Sequence, residues 1–168
     1  MKTFKVGIIG IGRVGLPLAL SLTKNGVSTI GFDINQQTID LVNLKKMPFN
    51  ESGCEELINN VDFTATSDLS RISEVETIII TVGTPLLAHI ETDLTQLNNV
   101  LNSIMHHIRP NQNIILRSTV APKTTKYVHR FIESNTSYKV GENIFLSFCP
   151  ERIAEGKALK ELETLPQI

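Results

Sequence analysis

Gly10-Ile11-Gly12-Arg13-Val14-Gly15 is a Gly-x-Gly-x-x-Gly run directly behind a short apolar stretch, residues 5–9. Each glycine has a physical job when a diphosphate is the ligand. Gly10 permits the tight turn, Gly12 lets a pyrophosphate approach the backbone, and Gly15 lets the following helix pack closely on the strand. The anion would rest on the helix N-terminus, where N–H groups and the dipole favour negative charge. The pattern alone is also a common strand-to-helix turn. Its context favours a dinucleotide: a strand precedes it, a helix follows, and an acid, Asp33, ends the next strand at about the ~20-residue distance this fingerprint requires. A carboxylate there accepts hydrogen bonds from the adenosine ribose hydroxyls and repels a 2′-phosphate, so NAD is expected rather than NADP. Asp33 is also placed to cap the segment beginning at Ile34, and the two roles are compatible.

Three further polar clusters follow apolar runs. Val82-Gly83-Thr84-Pro85 lies behind one, Ser118-Thr119-Val120-Ala121-Pro122 behind a second and Cys149-Pro150-Glu151-Arg152 behind a third. Each alone reads as a loop punctuated by proline, and a lone threonine or glutamate as a cap or a solvated side chain. Together they fall where strands end, and in an open α/β sheet the carboxyl ends of the strands share one crevice. Thr84, Thr119, Glu151 and Glu155 are expected to converge there. A carboxylate and a hydroxyl in one cleft can organise a water and shuttle its protons.

The elements that must hold these groups alternate. Strands are predicted at residues 5–9, 27–33, 61–66, 77–82, 113–117 and 143–149. Thr77–Val82 is the clearest, with three consecutive β-branched isoleucines. Helices are predicted at 14–22, 36–46, 93–108 and 123–133, with shorter ones at 55–59 and 67–74. Asp93 is expected to cap the third long helix and Pro122 to open the fourth. Such alternation predicts an α/β fold, a Rossmann-type doubly wound parallel sheet of about six strands with helices on both faces. One domain spanning residues 1–168 is expected.

Composition narrows the function classes. Sixteen basic side chains against 17 acidic ones give a net charge of −1, which offers no electrostatic footing for nucleic acid or an anionic membrane. No apolar run approaches the ~20 residues of a membrane span. The N-terminal run is short and glycine-rich, so it reads as a buried strand rather than a signal peptide. Cys54 and Cys149 make no disulfide framework, and a reducing, cytoplasmic setting is expected. Cys149, after a strand expected to be buried, reads as a small core residue, and Lys45-Lys46 as a solvated helix end. No metal-ligand spacing is present.

The segments GIGRVGLPLA, VGTP, STVAP and above all CPERIAEGKALKEL resemble the N-terminal domain of the UDP-glucose/GDP-mannose dehydrogenase family, across essentially the whole chain. The last segment looks closest to the UDP-N-acetyl-mannosamine dehydrogenase branch. The resemblance implies NAD-dependent, two-step oxidation of the C6 alcohol of a UDP-sugar to a carboxylate. It implies that Arg13 and Val14 lie under the pyrophosphate and Asp33 holds the ribose. It further implies that Val82, Gly83, Thr84, Pro85 and Leu86, with Ser118, Thr119 and Val120, line the cofactor, and that Glu155 touches its nicotinamide half. Thr119 and Glu151 would sit by the reacting carbon, with Glu151, Arg152 and Ile153 bordering the substrate. Thr38 stands where the family often carries a basic residue beside the adenosine. The family's central dimerisation segment and C-terminal nucleotide-sugar domain, with the nucleophilic cysteine and a catalytic lysine, would lie outside these residues. The chain alone is then expected to bind NAD modestly without turning over substrate. Two alternatives keep the fold: a stand-alone NAD-binding or interaction module, and a β-hydroxyacid-type dehydrogenase, against which Pro-Glu-Arg-x-x-Glu-Gly argues.

Overall fold

In the computed structural model, which describes residues 5–83, 93–154 and 156–164, six strands form one sheet in the order β3-β2-β1-β4-β5-β6. The strands are β1 (Val6–Ile9), β2 (Thr29–Phe32), β3 (Thr64–Thr66), β4 (Thr77–Ile80), β5 (Asn113–Leu116) and β6 (Phe145–Phe148), and every pairing is parallel. Six α-helices connect or follow them: α1 (Gly15–Lys24), α2 (Gln36–Asn43), α3 (Cys54–Asn60), α4 (Thr95–Ile104), α5 (Thr124–Asn135) and α6 (Ala158–Thr164). The predicted short helix at 67–74 is a 3-10 turn over Leu69–Glu74.

Alternation along the strands sorts the core into two layers. Ile8 and Ile79 pack with Leu16, Leu20, Ile39, Val42 and Ile58, from α1, α2 and α3. Ile9, Ile78, Ile80 and Ile114 pack on the opposite face with Leu97, Leu101, Ile104, Val128 and Ile132, from α4 and α5. Helices therefore cover both faces, as the pattern predicted. The chain builds outward from β1 through β2 to β3, then returns to lay β4 on the other side of β1. The helices that follow β1 and β4, α1 and α4, consequently lie on opposite faces, and a crevice opens between the carboxyl ends of these two strands.

Local chemistry moves several boundaries. Asp93 Oδ1 accepts from the Thr95 N–H at 2.8 Å in a turn, so α4 starts at Thr95 rather than Asp93. Pro122 does not open α5. Lys123 takes a left-handed φ of 75°, and the helix begins after it. The cap of α2 is Asn35, whose Oδ1 accepts from the Thr38 N–H at 3.2 Å. Lys45 is not a solvated helix end: its Nζ donates to the carbonyls of Val61 (2.7 Å) and Phe63 (3.1 Å), tying the end of α2 to the approach to β3.

Strand β6 departs most from expectation. It is a sheet edge, with Phe145 and Phe148 about two-fifths exposed, because a last strand has a neighbour on one side only. Cys149 is accordingly half-buried rather than a core residue. The contrasting cysteine is Cys54, fully buried, whose thiol is pushed up to about 12 by burial first and then by the carboxylates of Glu51 and Glu55. A thiol titrating so high stays protonated at neutral pH and is a poor nucleophile. Peptide mapping after iodoacetamide treatment at pH 8 should find Cys54 unmodified in the folded chain and alkylated after denaturation. Labelling of Cys54 under native conditions would contradict this reading.

Candidate functional site

The turn after β1 is built around its glycines. Gly10 has φ +92°, a region open to glycine at little cost. A Cβ on Gly15 would run into the Gly10 carbonyl oxygen and lie 2.6 Å from Thr81 Oγ1, so helix and strand meet there without room for a methyl. The Thr81 hydroxyl fastens the turn from β4, 2.6 Å from the Gly10 carbonyl and 3.0 Å from that of Ile9. Around Gly12 the space is open: a Cβ there would meet nothing within 4 Å. That combination, a pinned backbone with an empty face at the start of α1, fits a pyrophosphate. Arg13 is exposed, its guanidinium 5.3 Å from the ring centroid of Phe49.

Asp33 stands where β2 ends. Its Oδ2 accepts from the Ile11 N–H and its Oδ1 from the Asn35 N–H, both at 2.9 Å. The carboxylate is thus locked to the glycine turn on one side and to the start of α2 on the other. It borders a cavity of about 410 Å³ that also takes in Gly10, Gly12, Val82 and Gly83. The far wall is α4, which contributes Gln96, Asn99 and Ser103. These three recur at helical spacing and form a polar stripe that reasoning from the apolar face of α4 alone overlooks. Ile9, Phe32, Leu69 and Val100 supply the apolar lining. A slot bordered by a carboxylate, with mixed polar and apolar walls, suits an adenosine.

A second cavity, about 320 Å³, shares Thr81, Val82 and Gly83 with the first. Its other lining residues are Val14, Arg117, Ser118, Thr119, Glu151 and Ile153. Ser118 Oγ donates to the Val82 carbonyl at 2.6 Å, joining the ends of β4 and β5. Glu151 and Arg117 form an ion pair with side chains only 6% and 9% exposed. The Arg152 and Ile153 N–H groups donate to Glu151 Oε1 at 2.7 and 3.1 Å. Arg117 Nη1 lies 3.2 Å from Cys149 Sγ. One guanidinium therefore gathers the ends of β5 and β6.

Thr119 and Glu151 do come together, as expected, and Ile153 joins them. Arg152 is exposed and Val120 half-buried, and neither lines either cavity. Thr84, Pro85, Leu86 and Glu155 lie outside the described residues. Sequence reasoning missed Thr81 and Arg117. Thr81 is next to last in the strand predicted at 77–82 and Arg117 is last in that predicted at 113–117, where a polar residue near the carboxyl end was the available signal.

The sequence matches the model of the UDP-glucose/GDP-mannose dehydrogenase family, NAD binding domain, over residues 4–168. It is 32% identical over 162 residues to the UDP-N-acetyl-D-mannosamine dehydrogenase of Methanococcus aeolicus, covering 94% of this chain and 36% of that protein. It is 30% identical over 169 residues to the UDP-N-acetyl-D-glucosamine 6-dehydrogenase of Pseudomonas aeruginosa, covering 100% of this chain and 40% of that one. Among solved structures, the ternary complex of GDP-mannose dehydrogenase from Pseudomonas aeruginosa superposes with a TM-score of 0.92 at 30% identity, covering 97% of this chain and 39% of that one. The chain thus spans about two-fifths of the length of these relatives. Among the described residues no helix is long and apolar enough to cross a membrane. With its glycine turn, strand-end carboxylate and parallel sheet in place, this chain belongs to the UDP-glucose/GDP-mannose dehydrogenase family, whose NAD binding domain it forms over residues 4–168.

Proposed function

We propose that this domain holds NAD while a longer dehydrogenase oxidises the C6 alcohol of a UDP-sugar, of the UDP-N-acetyl-mannosamine or UDP-glucose type, to a carboxylate. The observation that carries the reading is the pair of adjoining cavities, with Asp33 at one end and Thr119, Glu151 and Arg117 at the other. Bound NAD would supply the hydride acceptor. Asp33 accepts from the ribose hydroxyls while Gly10, Gly12, Arg13, Val14 and Gly15 receive the pyrophosphate. Val82 to Leu86 and Ser118 to Val120 border the cofactor, and Glu155 reaches its nicotinamide half. Thr119 and Glu151 hold a water and move its protons, the Arg117 guanidinium keeping the Glu151 carboxylate aimed. Arg152 and Ile153 border the sugar. The nucleophilic cysteine and the catalytic lysine are assigned to parts of the protein beyond these residues. The same reading takes the whole enzyme to be a cytoplasmic dimer.

Calorimetric titration tests the cofactor half. Asp33→Ala should weaken NAD by about tenfold or more, since a charge-assisted hydrogen bond is worth about 1.5–3 kcal/mol, while the chain stays folded. Unchanged affinity would remove Asp33 from the ribose. Mixing these residues alone with NAD and a UDP-sugar should give no sustained NADH. Sustained formation would overturn the assignment of the nucleophile elsewhere.

A further inference from the structure

Glu51 is a carboxylate that the proposed chemistry does not use. Its side chain lies in the interior, 1% exposed. Burying a charge in this way is costly unless its oxygens are satisfied. Among the described residues its side-chain partners are two backbone N–H groups: Gly156 donates to Oε2 and Ala158 to Oε1, each at 2.9 Å. Those donors belong to the far end of the sequence, at the entry to α6, and Ala158 is itself fully buried.

Glu51 therefore clamps one end of the segment that leaves β6. The other end is held at the sheet, where the Glu151 N–H donates to the Arg117 carbonyl at 2.9 Å and the two side chains pair. Between these anchors lies Ile153, which with Glu151 and with Val14 at the start of α1 lines the second cavity. The stretch before Glu51 also reaches the glycine turn, because the Arg13 guanidinium lies 5.3 Å from the Phe49 ring centroid, next to Val14 of the second cavity. A single loop thus touches both the glycine turn and the segment that leaves β6. Leu159, packed in the layer beneath α1, adds an apolar contact beside Gly53.

We propose that Glu51 is a positioning residue for the nicotinamide side of the site. By gripping two converging N–H donors, it sets Glu151 and Ile153 at a fixed distance from the glycine turn. A carboxylate suits this task because both of its oxygens accept. An amide would present an NH₂ group to one of the two donors, and an aspartate is one methylene shorter. The proposal rests on reading the second cavity as the nicotinamide end of the NAD site.

The test compares NAD with ADP-ribose, which keeps the adenosine and pyrophosphate but lacks nicotinamide. Calorimetry on the wild-type chain comes first, and NAD should bind more tightly than ADP-ribose. Equal affinities would overturn the underlying reading of the second cavity, and this proposal with it, before any substitution is made. In Glu51→Gln, NAD affinity should fall about tenfold while ADP-ribose stays within about twofold, because NAD must then re-order a segment loosened by about the worth of one charge-assisted hydrogen bond. Hydrogen exchange at the amides of Arg152, Ile153, Gly156 and Ala158 should quicken. Parallel weakening of both ligands would assign Glu51 a general structural role and overturn the proposal. So would faster exchange at Gly156 and Ala158 with NAD binding unmoved. Should Glu51→Gln fail to fold, Ala158→Pro removes one of the two donors at the first position of a helix, where proline is tolerated, and is read in the same way.

Discussion

Gly15→Ala is expected to destabilise the domain by about 1–3 kcal/mol or more and to abolish NAD binding. The direction is unusual. In the first turn of a helix, replacing glycine by alanine ordinarily stabilises by up to about 1 kcal/mol, because the unfolded chain loses freedom and the helix gains a better former. At this position the new methyl would collide with the Gly10 carbonyl oxygen and with Thr81 Oγ1, two atoms bonded to each other. Neither can move cheaply: Gly10 is bound into the turn through its N–H to the Phe32 carbonyl at 2.8 Å, and Thr81 through its own N–H to Ile9 at 2.9 Å. The helix must lift off the strand, and the anion site at its start opens with it. Gly12→Ala makes the matched control. Its Cβ would meet nothing within 4 Å of protein, so the unfolding free energy from urea melts should stay within about 0.5 kcal/mol of the wild type while NAD affinity collapses. Denaturant melts and calorimetry on the two variants separate packing from ligand space. A Gly15→Ala protein as stable as the wild type would show that the close approach of α1 to β1 has been misjudged.

Arg117→Met should cost about 3–5 kcal/mol, because it leaves the Glu151 carboxylate in a site that is 6% exposed with its cationic partner gone. Methionine keeps much of the arginine stem's volume, so lost packing is a small part of the effect. The two Glu151 contacts from the Arg152 and Ile153 N–H groups remain, yet they reach only Oε1. The double variant Arg117→Met, Glu151→Leu should recover most of the loss, since removing both charges also removes the desolvation that their pairing offsets. Stability is read by urea denaturation of the two single variants and the double. A double variant less stable than Arg117→Met would mean that the pair contributes through something other than mutual compensation. Under the proposed function, Arg117→Met should suppress the chemical step of the whole enzyme by freeing the Glu151 carboxylate, and Glu151→Leu by removing it.

Much of the site was legible because it lies close to a local rule. The glycine spacing before a helix, an acid at the end of the next strand, and polar clusters behind apolar runs are all short-range patterns, each with one physical cause. They located Gly10, Gly12, Gly15 and Asp33, and they brought Thr119 and Glu151 into one crevice. The layered core was legible for the same reason: strand alternation and helical spacing assign residues to faces before any tertiary contact exists. The edge position of β6 was less accessible. An apolar run of residues 143–149 reads as a buried strand whether it lies inside the sheet or at its margin. Only the order of strands decides which, and that order placed Phe145 and Phe148 partly in solvent and left Cys149 half-buried.

By itself, then, the sequence determined the parallel α/β sheet, the glycine turn between β1 and α1 and the carboxylate at the end of β2. In each case the interacting groups are neighbours along the chain or one supersecondary unit apart. Tertiary structure alone decided which groups meet across long stretches of chain: Arg117 with Glu151, Glu51 with the N–H groups of Gly156 and Ala158, and the α4 stripe of Gln96, Asn99 and Ser103 across one cavity from Asp33. An arginine ending a strand or a glutamate in a loop carries no mark of its partner in its local pattern. A buried charge finds its partner only when the sheet has brought the two segments together and removed the water that would otherwise solvate both.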